Sequence, residues 1–376
     1  MLTESYRGAM DLGCLFYAGL LIWVRGCYDF LLGEPIPAMT AATNAVIASL
    51  AQPEFLILNQ LLRGLIQGVN HLVTPEPSPD ATAESETREV ALVAAMKQRD
   101  NGFALATYFT SKGLALYLLG EHDCAAATLE EAETYAAATT CFFSAELVFL
   151  RVLALAATAG STPGPDFQER LEPPVARLRT WDTLCPENFR HKRLLCEAEA
   201  ARVEGRETEA LELYDTAIAA AREHGFLSVE AMTCELAGRL WLRRGRERVA
   251  QDYLREALAC YRRWGATRKE ALLLAEFPAL LESPSGTGQE ECTRLIGQAA
   301  LELEAVMRAT RAVSAEIRLK SLLQTLLQAL LEQAGATAGG LILRRGEAWV
   351  VVALAEAQQV GPRHAARRSG RADQSN

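Results

Sequence analysis

Five histidines and nine cysteines are the residues of this chain that could bind a metal or act as nucleophiles. The histidines lie far apart, at positions 71, 122, 191, 224 and 364, and none falls in an H-E-x-x-H or another paired-ligand spacing. The cysteines also stand singly, and no two form a C-x-x-C pair. We therefore predict no metal site and interpret the cysteines as reduced thiols that pack as small apolar side chains.

Motifs for phosphoryl transfer and for hydrolysis are missing from the sequence as well. No G-x-x-x-x-G-K-[ST] segment that cradles a phosphate occurs, and the glycines at 286 and 288 belong to a linker pattern. The catalytic segments of protein kinases and the G-x-S-x-G turn of hydrolases are not found either. We predict that the chain has no catalytic residues, needs no cofactor and is not an enzyme.

The remaining polar and aromatic candidates favour a structural interpretation over a chemical one. Two acidic clusters could supply an acid and a base, but on amphipathic helices they are usually solvated faces: Glu130, Glu131 and Glu133, and Glu197 and Glu199. His191, in FRHKRLL, is interpreted as a polar residue near a helix start beside Glu187. Five aromatic residues at helix-packing positions favour core packing over ligand contacts: Trp181, Trp241, Trp264, Tyr214 and Tyr261.

Composition and charge narrow the class of protein further. The chain has 376 residues, is 50% hydrophobic and carries a net charge of -9, so it should fold and should not attract nucleic acid. No signal-peptide pattern opens it, which predicts a cytoplasmic location. Its most apolar stretch, Leu12 to Val24, is shorter than the roughly 20 residues of a spanning helix, so we interpret it as a buried core helix without membrane contact.

A repeat is the strongest signal in the sequence, because four glycines are each followed by small or apolar residues five, nine and twelve positions later. The four sets are Gly33 with Ala38, Ala42 and Ala45; Gly120 with Ala125, Leu129 and Ala132; Gly205 with Ala210, Tyr214 and Ala217; and Gly245 with Ala250, Leu254 and Ala257. We expect each glycine to end one helix and the later positions to pack on one face of the next.

The spacing of the glycines sets the size of the repeat unit. Gly205 and Gly245 are about forty residues apart, and the two earlier intervals are about twice as long, so each should hold one degenerate copy. Gly160 fits the second interval. The unit is a helix, a turn and a helix, and stacked units predict an all-α, TPR-like solenoid with an extended groove that serves as a binding surface.

Changes in composition predict the boundaries of the chain's regions. The repeat domain should cover 1–282 with a mobile loop at 74–87, followed by a linker at 283–289, a connector helix at 290–316, the start of a small α/β domain at 317–356 and a disordered tail at 357–376.

The helical pattern from Glu290 to Gln333 has two interpretations. Its apolar residues at seven-residue spacing indicate a coiled-coil seam and a homodimer, whereas the alternative is one more helix folded back on the repeats. Beyond it, Leu341 to Leu343 and Trp349 to Val352, separated by a turn at Arg345 and Gly346, predict a β-hairpin.

The segment from Asn188 to Gly265, which contains LLCEAEAARVEGRETEALELYDTAIAAAREHG, resembles the helical-repeat region of bacterial multi-domain sensor kinases. In that family a serine/threonine kinase-like domain and an AAA-type ATPase domain precede the repeats, and a GAF domain and a histidine kinase follow them. The stretch GAMDLGCLFYAGLLIWVRGCYDFLLGEPI resembles an earlier part of the same region, and LELEAVMRATRAVSAEIRLKSLLQTLLQALLEQAGATAGGLIL resembles its connector and GAF entry. The resemblance implies a chain truncated at both ends of that arrangement.

These observations predict a non-catalytic protein-interaction and signal-relay module. Its partners would be kinase or ATPase domains of the same signalling system. One alternative is a small-molecule sensor, in which a ligand enters a pocket between repeats or a GAF-like cup. Another is a remnant of a truncated kinase or ATPase gene without independent activity.

Overall fold

The computed structural model of the chain describes residues 2–50, 52–73, 79–138, 142–159, 164, 166–281, 338–345 and 348–356. The chain divides into two units, Met1–Pro284 and Ser285–Asn376, so the division falls inside the predicted linker. Helices dominate the described residues of the first unit, and the predicted all-α class is confirmed for that part of the chain.

The helices of the first unit follow one another with short connections. They are α1 (Leu2–Asp11), α2 (Leu15–Leu32), α3 (Ile36–Ser49), α4 (Leu56–Val73), α5 (Pro79–Gln98), α6 (Gly102–Leu118), α7 (His122–Thr134), α8 (Phe142–Thr158), α9 (Phe167–Leu184), α10 (Pro186–Val203), α11 (Glu207–His224), α12 (Leu227–Arg243), α13 (Glu247–Trp264), α14 (Thr267–Glu276) and α15 (Pro278–Leu281).

The four repeat glycines lie one or two residues beyond the ends of α2, α6, α10 and α12, where the backbone turns into the next helix. All four have positive φ angles, from 69° to 86°. At Gly120 the amide of Glu121 donates a hydrogen bond to the carbonyl of Leu116 at 3.0 Å, which closes a Schellman turn. Glycine is needed there because a left-handed backbone strains any residue that carries a Cβ.

The small or apolar residues after three of these glycines are buried against the preceding helix. They are Ala125, Leu129 and Ala132 on α7, Ala210, Tyr214 and Ala217 on α11, and Ala250, Leu254 and Ala257 on α13. Alanine at these positions lets two helix backbones approach closely.

The first copy of the repeat departs from this pattern, because Ala38, Ala42 and Ala45 are exposed on α3. Two residues, Glu34 and Pro35, separate Gly33 from the start of α3, whereas a single residue separates the other glycines from α7, α11 and α13. One additional residue rotates the helix by about 100°. The buried residues of α3 therefore come one position later, at Met39, Thr43 and Val46.

The repeat has a second position that holds a small residue, seven residues before each repeat glycine, and this position was not predicted. It holds Gly26, Gly113, Ala198 and Gly238. A Cβ at Gly113 would lie 2.5 Å from Leu129 Cδ2, and one at Gly238 would lie 2.9 Å from Leu254 Cγ. In each pair the first helix therefore carries a small residue at the point where the middle packing residue of the second helix contacts it.

Each long interval between glycines holds one further helix pair, α4 with α5 and α8 with α9, as the spacing predicted. Gly160, which was assigned to the second interval, lies outside the described residues. The predicted loop at 74–87 overlaps α5, which begins at Pro79, so residues 79–87 are helical. Glu89 on α5 binds the side chains of His71, Tyr108 and Lys112, which ties this helix to α4 and α6.

The helices of the first unit close into a ring. The alternate helices α2, α4, α6, α8, α10 and α12 contact one another in that order, and α12 also contacts α2. Phe30 packs on Trp264 with ring centroids 5.5 Å apart, and Ser228 Oγ donates a hydrogen bond to the carbonyl oxygen of Leu31. The N-terminal helices thus lie against α12 to α14. The repeat pattern predicted an extended groove and did not predict this closure.

The helix α2 contains most of the apolar stretch from Leu12 to Val24. Among the described residues it is the one helix long and apolar enough to cross a membrane by length and composition, and 44% of it is buried inside the protein. Trp23, Cys27 and Phe30 lie in the core. The second half of the apolar stretch is thus largely buried as predicted, but residues 12–17 are mostly exposed, so the buried-helix prediction was wrong for the first half.

In the second unit the structure describes an antiparallel hairpin of β1 (Ala338–Arg345) and β2 (Ala348–Glu356). Leu343 pairs with Val350, and the register shifts between Leu341 and Ile342. The predicted strands lie within this hairpin. The linker at 283–289, the helix predicted over 290–333, the predicted turn residue Gly346 and the tail at 357–376 lie outside the described residues.

Candidate binding cavity

A cavity of about 590 Å³ lies in the first unit, between the turn that joins α6 to α7 and the helices α12, α13 and α14. The α6–α7 side contributes Tyr117, Leu118, Leu119, Gly120 and His122. The opposite side contributes Met232, Glu235, Leu236, Arg239, Tyr261, Lys269, Leu272, Ala275 and Glu276. The wall therefore combines leucine side chains with a group of charged residues.

Glu235 is the centre of the charged group and is only 6% exposed. Its Oε1 accepts a hydrogen bond from Lys269 Nζ at 2.7 Å and another from Arg239 Nη2 at 2.9 Å. Its Oε2 accepts one from the Tyr261 hydroxyl at 2.7 Å. Burial raises the pKa of Glu235, but Lys269, Arg239 and Tyr261 outweigh it and hold the pKa below its usual value, so the group stays a carboxylate.

Arg239 extends the charged group toward the surface. Its Nη2 also donates to Glu276 Oε2 at 2.6 Å, and its other terminal nitrogen bonds to the second oxygen of the same carboxylate. The guanidinium lies 5.2 Å from the ring centre of Phe277. Both carboxylates of the cavity are therefore occupied by protein donors, which makes them poor candidates for a catalytic base.

Three donors on the cavity wall remain without acceptors. The Tyr117 hydroxyl and two N–H groups of Lys269 have no hydrogen-bond partner in the part of the chain that the structure describes. His122 Nδ1 is buried and also lacks a partner among those residues. Burial raises the pKa of Tyr117 well above its usual value, so its hydroxyl stays protonated, and burial beside Lys269 lowers the pKa of His122.

A second buried polar group lies on α10 and α11, and it corrects one prediction. Glu199, interpreted as part of a solvated face, is 1% exposed. It accepts hydrogen bonds from the Tyr214 hydroxyl and from Arg202, whose Nη2 also donates to the carbonyl of Ala156 at 3.1 Å. The solvated-face prediction was wrong for Glu199 because an arginine three residues later and a tyrosine on the next helix satisfy it inside the core.

His191 also lies in the core, although a polar position near the helix start was predicted. It sits in the second turn of α10, and its ring centre is 4.0 Å from that of Phe226. Burial and the neighbouring Lys192 lower its pKa well below the usual value, so the ring is neutral. Lys192 in turn pairs with the buried Glu146 of α8.

The aromatic residues and cysteines mostly serve packing. Trp264, Tyr214 and Tyr261 are fully buried, whereas Trp181 and Trp241 are partly buried. Four cysteines are buried, at 27, 196, 234 and 260, and burial raises the pKa of Cys260 to about 12. Cys14 and Cys124 are exposed, and positions 141 and 292 lie outside the described residues.

The four histidines that the structure describes do not come together in one site. Within the described ranges no three His, Cys, Asp or Glu side chains are placed to hold a metal ion. The repeat residues support the cavity, since Gly120 lies in its wall and the Ala250 and Ala257 positions hold α13 against α12. The cavity itself had no signal in the sequence, because its two sides are more than a hundred residues apart.

A scan against protein-family models finds no match, and a search of curated proteins finds no similar sequence. The resemblance to bacterial sensor kinases therefore stays a prediction.

Proposed function

We propose that this chain is a non-catalytic protein-interaction and signal-relay module of a bacterial sensor kinase system, working in the cytoplasm. The partner is a kinase or ATPase domain of the same system. The resemblance of Asn188 to Gly265 to the repeat region of such proteins supports the choice of system. The observation that carries an interaction role is an apolar patch at the start of α2.

This N-terminal patch consists of Leu12, Phe16 and Tyr17, which are 79%, 51% and 63% exposed. The rings of Phe16 and Tyr17 contact each other, with centroids 5.7 Å apart, so the exposed surface of these two side chains is continuous. Neighbouring exposed aromatic side chains are typical of a surface that another protein covers.

The position of the patch also supports a relay role. The patch lies at the N-terminal end of α2, and the other end of this helix packs on α12 and α13 through Leu31 and Phe30. A helix of 18 residues is about 27 Å long. A displacement of α2 by a bound partner would therefore reach α12 and α13.

The test is co-purification of the full chain from its host after brief cross-linking, with mass spectrometry of the captured proteins. We expect a protein with a kinase or ATPase domain to be captured by the native chain. The double variant Phe16→Ser, Tyr17→Ser should lose it. Leu184→Ser is the matched control, because Leu184 is a 78% exposed leucine at the end of α9.

Two results would count against the proposal. One is capture of no kinase or ATPase protein by the native chain. The other is equal capture by the double variant and by Leu184→Ser. Binding of the chain to lipid vesicles through Phe16 and Tyr17 would show instead that the patch meets a membrane.

A further inference from the structure

In the cavity between α6 and α12–α14, some polar groups have hydrogen-bond partners and others have none. The carboxylates of Glu235 and Glu276 accept all their hydrogen bonds from protein side chains. The Tyr117 hydroxyl and two N–H groups of Lys269 have no acceptor among the described residues. A molecule in this cavity thus meets unused donors, whereas both carboxylates already pair with cationic side chains of the protein.

The rest of the wall is apolar. Leu118 and Leu119 line one side, and Leu236 and Leu272 line the other. The volume of about 590 Å³ falls in the range of roughly 300 to 1,000 Å³ that is typical of small-molecule sites. An apolar body fits this part of the wall because burying it removes apolar surface from water.

We propose that this cavity binds a small amphipathic anion, whose carboxylate accepts hydrogen bonds from Lys269 and Tyr117 while its apolar body lies against Leu119 and Leu236. A cation would lie beside the Lys269 ammonium, which repels it. A neutral apolar molecule leaves the Lys269 and Tyr117 donors buried without partners, which is unfavourable. The site is separate from the N-terminal patch on α2.

The first experiment measures the melting temperature of the full chain with sodium octanoate as the probe. We expect a rise that saturates with octanoate concentration, because a ligand bound by the native state alone stabilises it. 1-Octanol and octylamine have the same apolar chain without the negative charge, so they should give little or no rise. No saturable rise with octanoate, or an equal rise with 1-octanol, would overturn the proposal.

Two variants test whether octanoate binds in this cavity. Ala275 is exposed and lines the cavity, so Ala275→Trp should block the site without changing the core. Ala271→Trp is the matched control, because Ala271 is exposed on the same helix and does not line the cavity. We expect the octanoate effect to be lost in Ala275→Trp and kept in Ala271→Trp.

The variant Tyr117→Phe removes the hydroxyl and keeps the ring. Its melting temperature without ligand should not fall, because the hydroxyl has no partner among the described residues. Its octanoate affinity should fall about tenfold or more, the loss of one hydrogen bond to a charged group. An unchanged affinity in Tyr117→Phe, or an undiminished octanoate effect in Ala275→Trp, would overturn the proposal.

Discussion

Lys269 on α14 donates a hydrogen bond to Glu235 on α12 at 2.7 Å, and the two side chains are each 7% exposed. The pair joins helices that are separated by the whole of α13. Removing one of two paired charges inside a core leaves the other without compensation, which is strongly unfavourable.

Loss of one charge of this pair should therefore destabilise the protein. We expect Lys269→Met to lower the free energy of unfolding by about 3 kcal/mol, because it leaves Glu235 with Arg239 alone as a cationic partner. Urea unfolding followed by tryptophan fluorescence measures the loss. In a Glu235→Gln background, Lys269→Met should lower the free energy of unfolding much less. Equal losses in the two backgrounds would contradict an energetic coupling between Lys269 and Glu235.

The shifted register of the first repeat predicts opposite results for two equivalent alanines. Ala132 is fully buried, so Ala132→Leu should overpack the contact between α6 and α7 and lower the free energy of unfolding by about 1–3 kcal/mol. Ala45 is exposed, so Ala45→Leu should change it by less than about 0.5 kcal/mol. Equal losses in the two variants would show that the repeats share one register.

The close approach of Gly113 to Leu129 can be tested with a double-mutant cycle. Alanine is the better helix former by about 1 kcal/mol, but its Cβ at position 113 would lie 2.5 Å from Leu129 Cδ2. We expect Gly113→Ala to destabilise the native chain by about 1–2 kcal/mol and to stabilise the Leu129→Ala variant, in which the space is free. The free energies of unfolding of the four proteins decide this.

Burial of His191 should make the protein sensitive to mild acid. The unfolded chain takes up a proton on this residue below about pH 6.5, whereas the folded chain does not, because its pKa is well below that value. Stability should therefore decrease as the pH falls from 6.5 to 5, by up to about 1.4 kcal/mol per pH unit. In His191→Phe the decrease should be smaller, and an unchanged pH profile would contradict this assignment.

A further loss is expected at lower pH, where a different group titrates. Burial raises the pKa of Glu89, but His71, Lys112 and Tyr108 outweigh it and hold the pKa far below 4.5. Its contribution is complete above pH 4.5 and is lost as the pH falls below that value. The His191 contribution continues to fall in the same pH range, so variants separate the two groups: Glu89→Gln should weaken the loss below pH 4.5 and leave the loss between pH 6.5 and 5 unchanged.

Local chemistry explains which parts of the fold could be read from the sequence. A glycine that must adopt a positive φ angle marks a helix end wherever it stands, so Gly33, Gly120, Gly205 and Gly245 located the turns. The register of α3 was missed, because the pattern treats every turn as equally long and Pro35 lengthens the first one.

The buried charges were missed for a different reason. A glutamate in an amphipathic helix is usually solvated, and Glu199 and Glu235 depart from this rule only because Tyr214 and Lys269 reach them from other helices. The spacing of a repeat carries no information about such partners. A tyrosine at the middle packing position, Tyr214, where two other copies have leucine, was the available signal for a polar group in the core.

Closure of the ring alters how the repeats should unfold. In an open array each repeat contacts its neighbours alone, so terminal units melt first and their removal is tolerated. Here Thr267 bonds to the backbone at Val73 across 194 residues of sequence, and Ser228 bonds at Leu31 across 197. The two ends of the array therefore cover each other. We expect little fraying and cooperative melting, and deletion of either end should expose the apolar surface of the other.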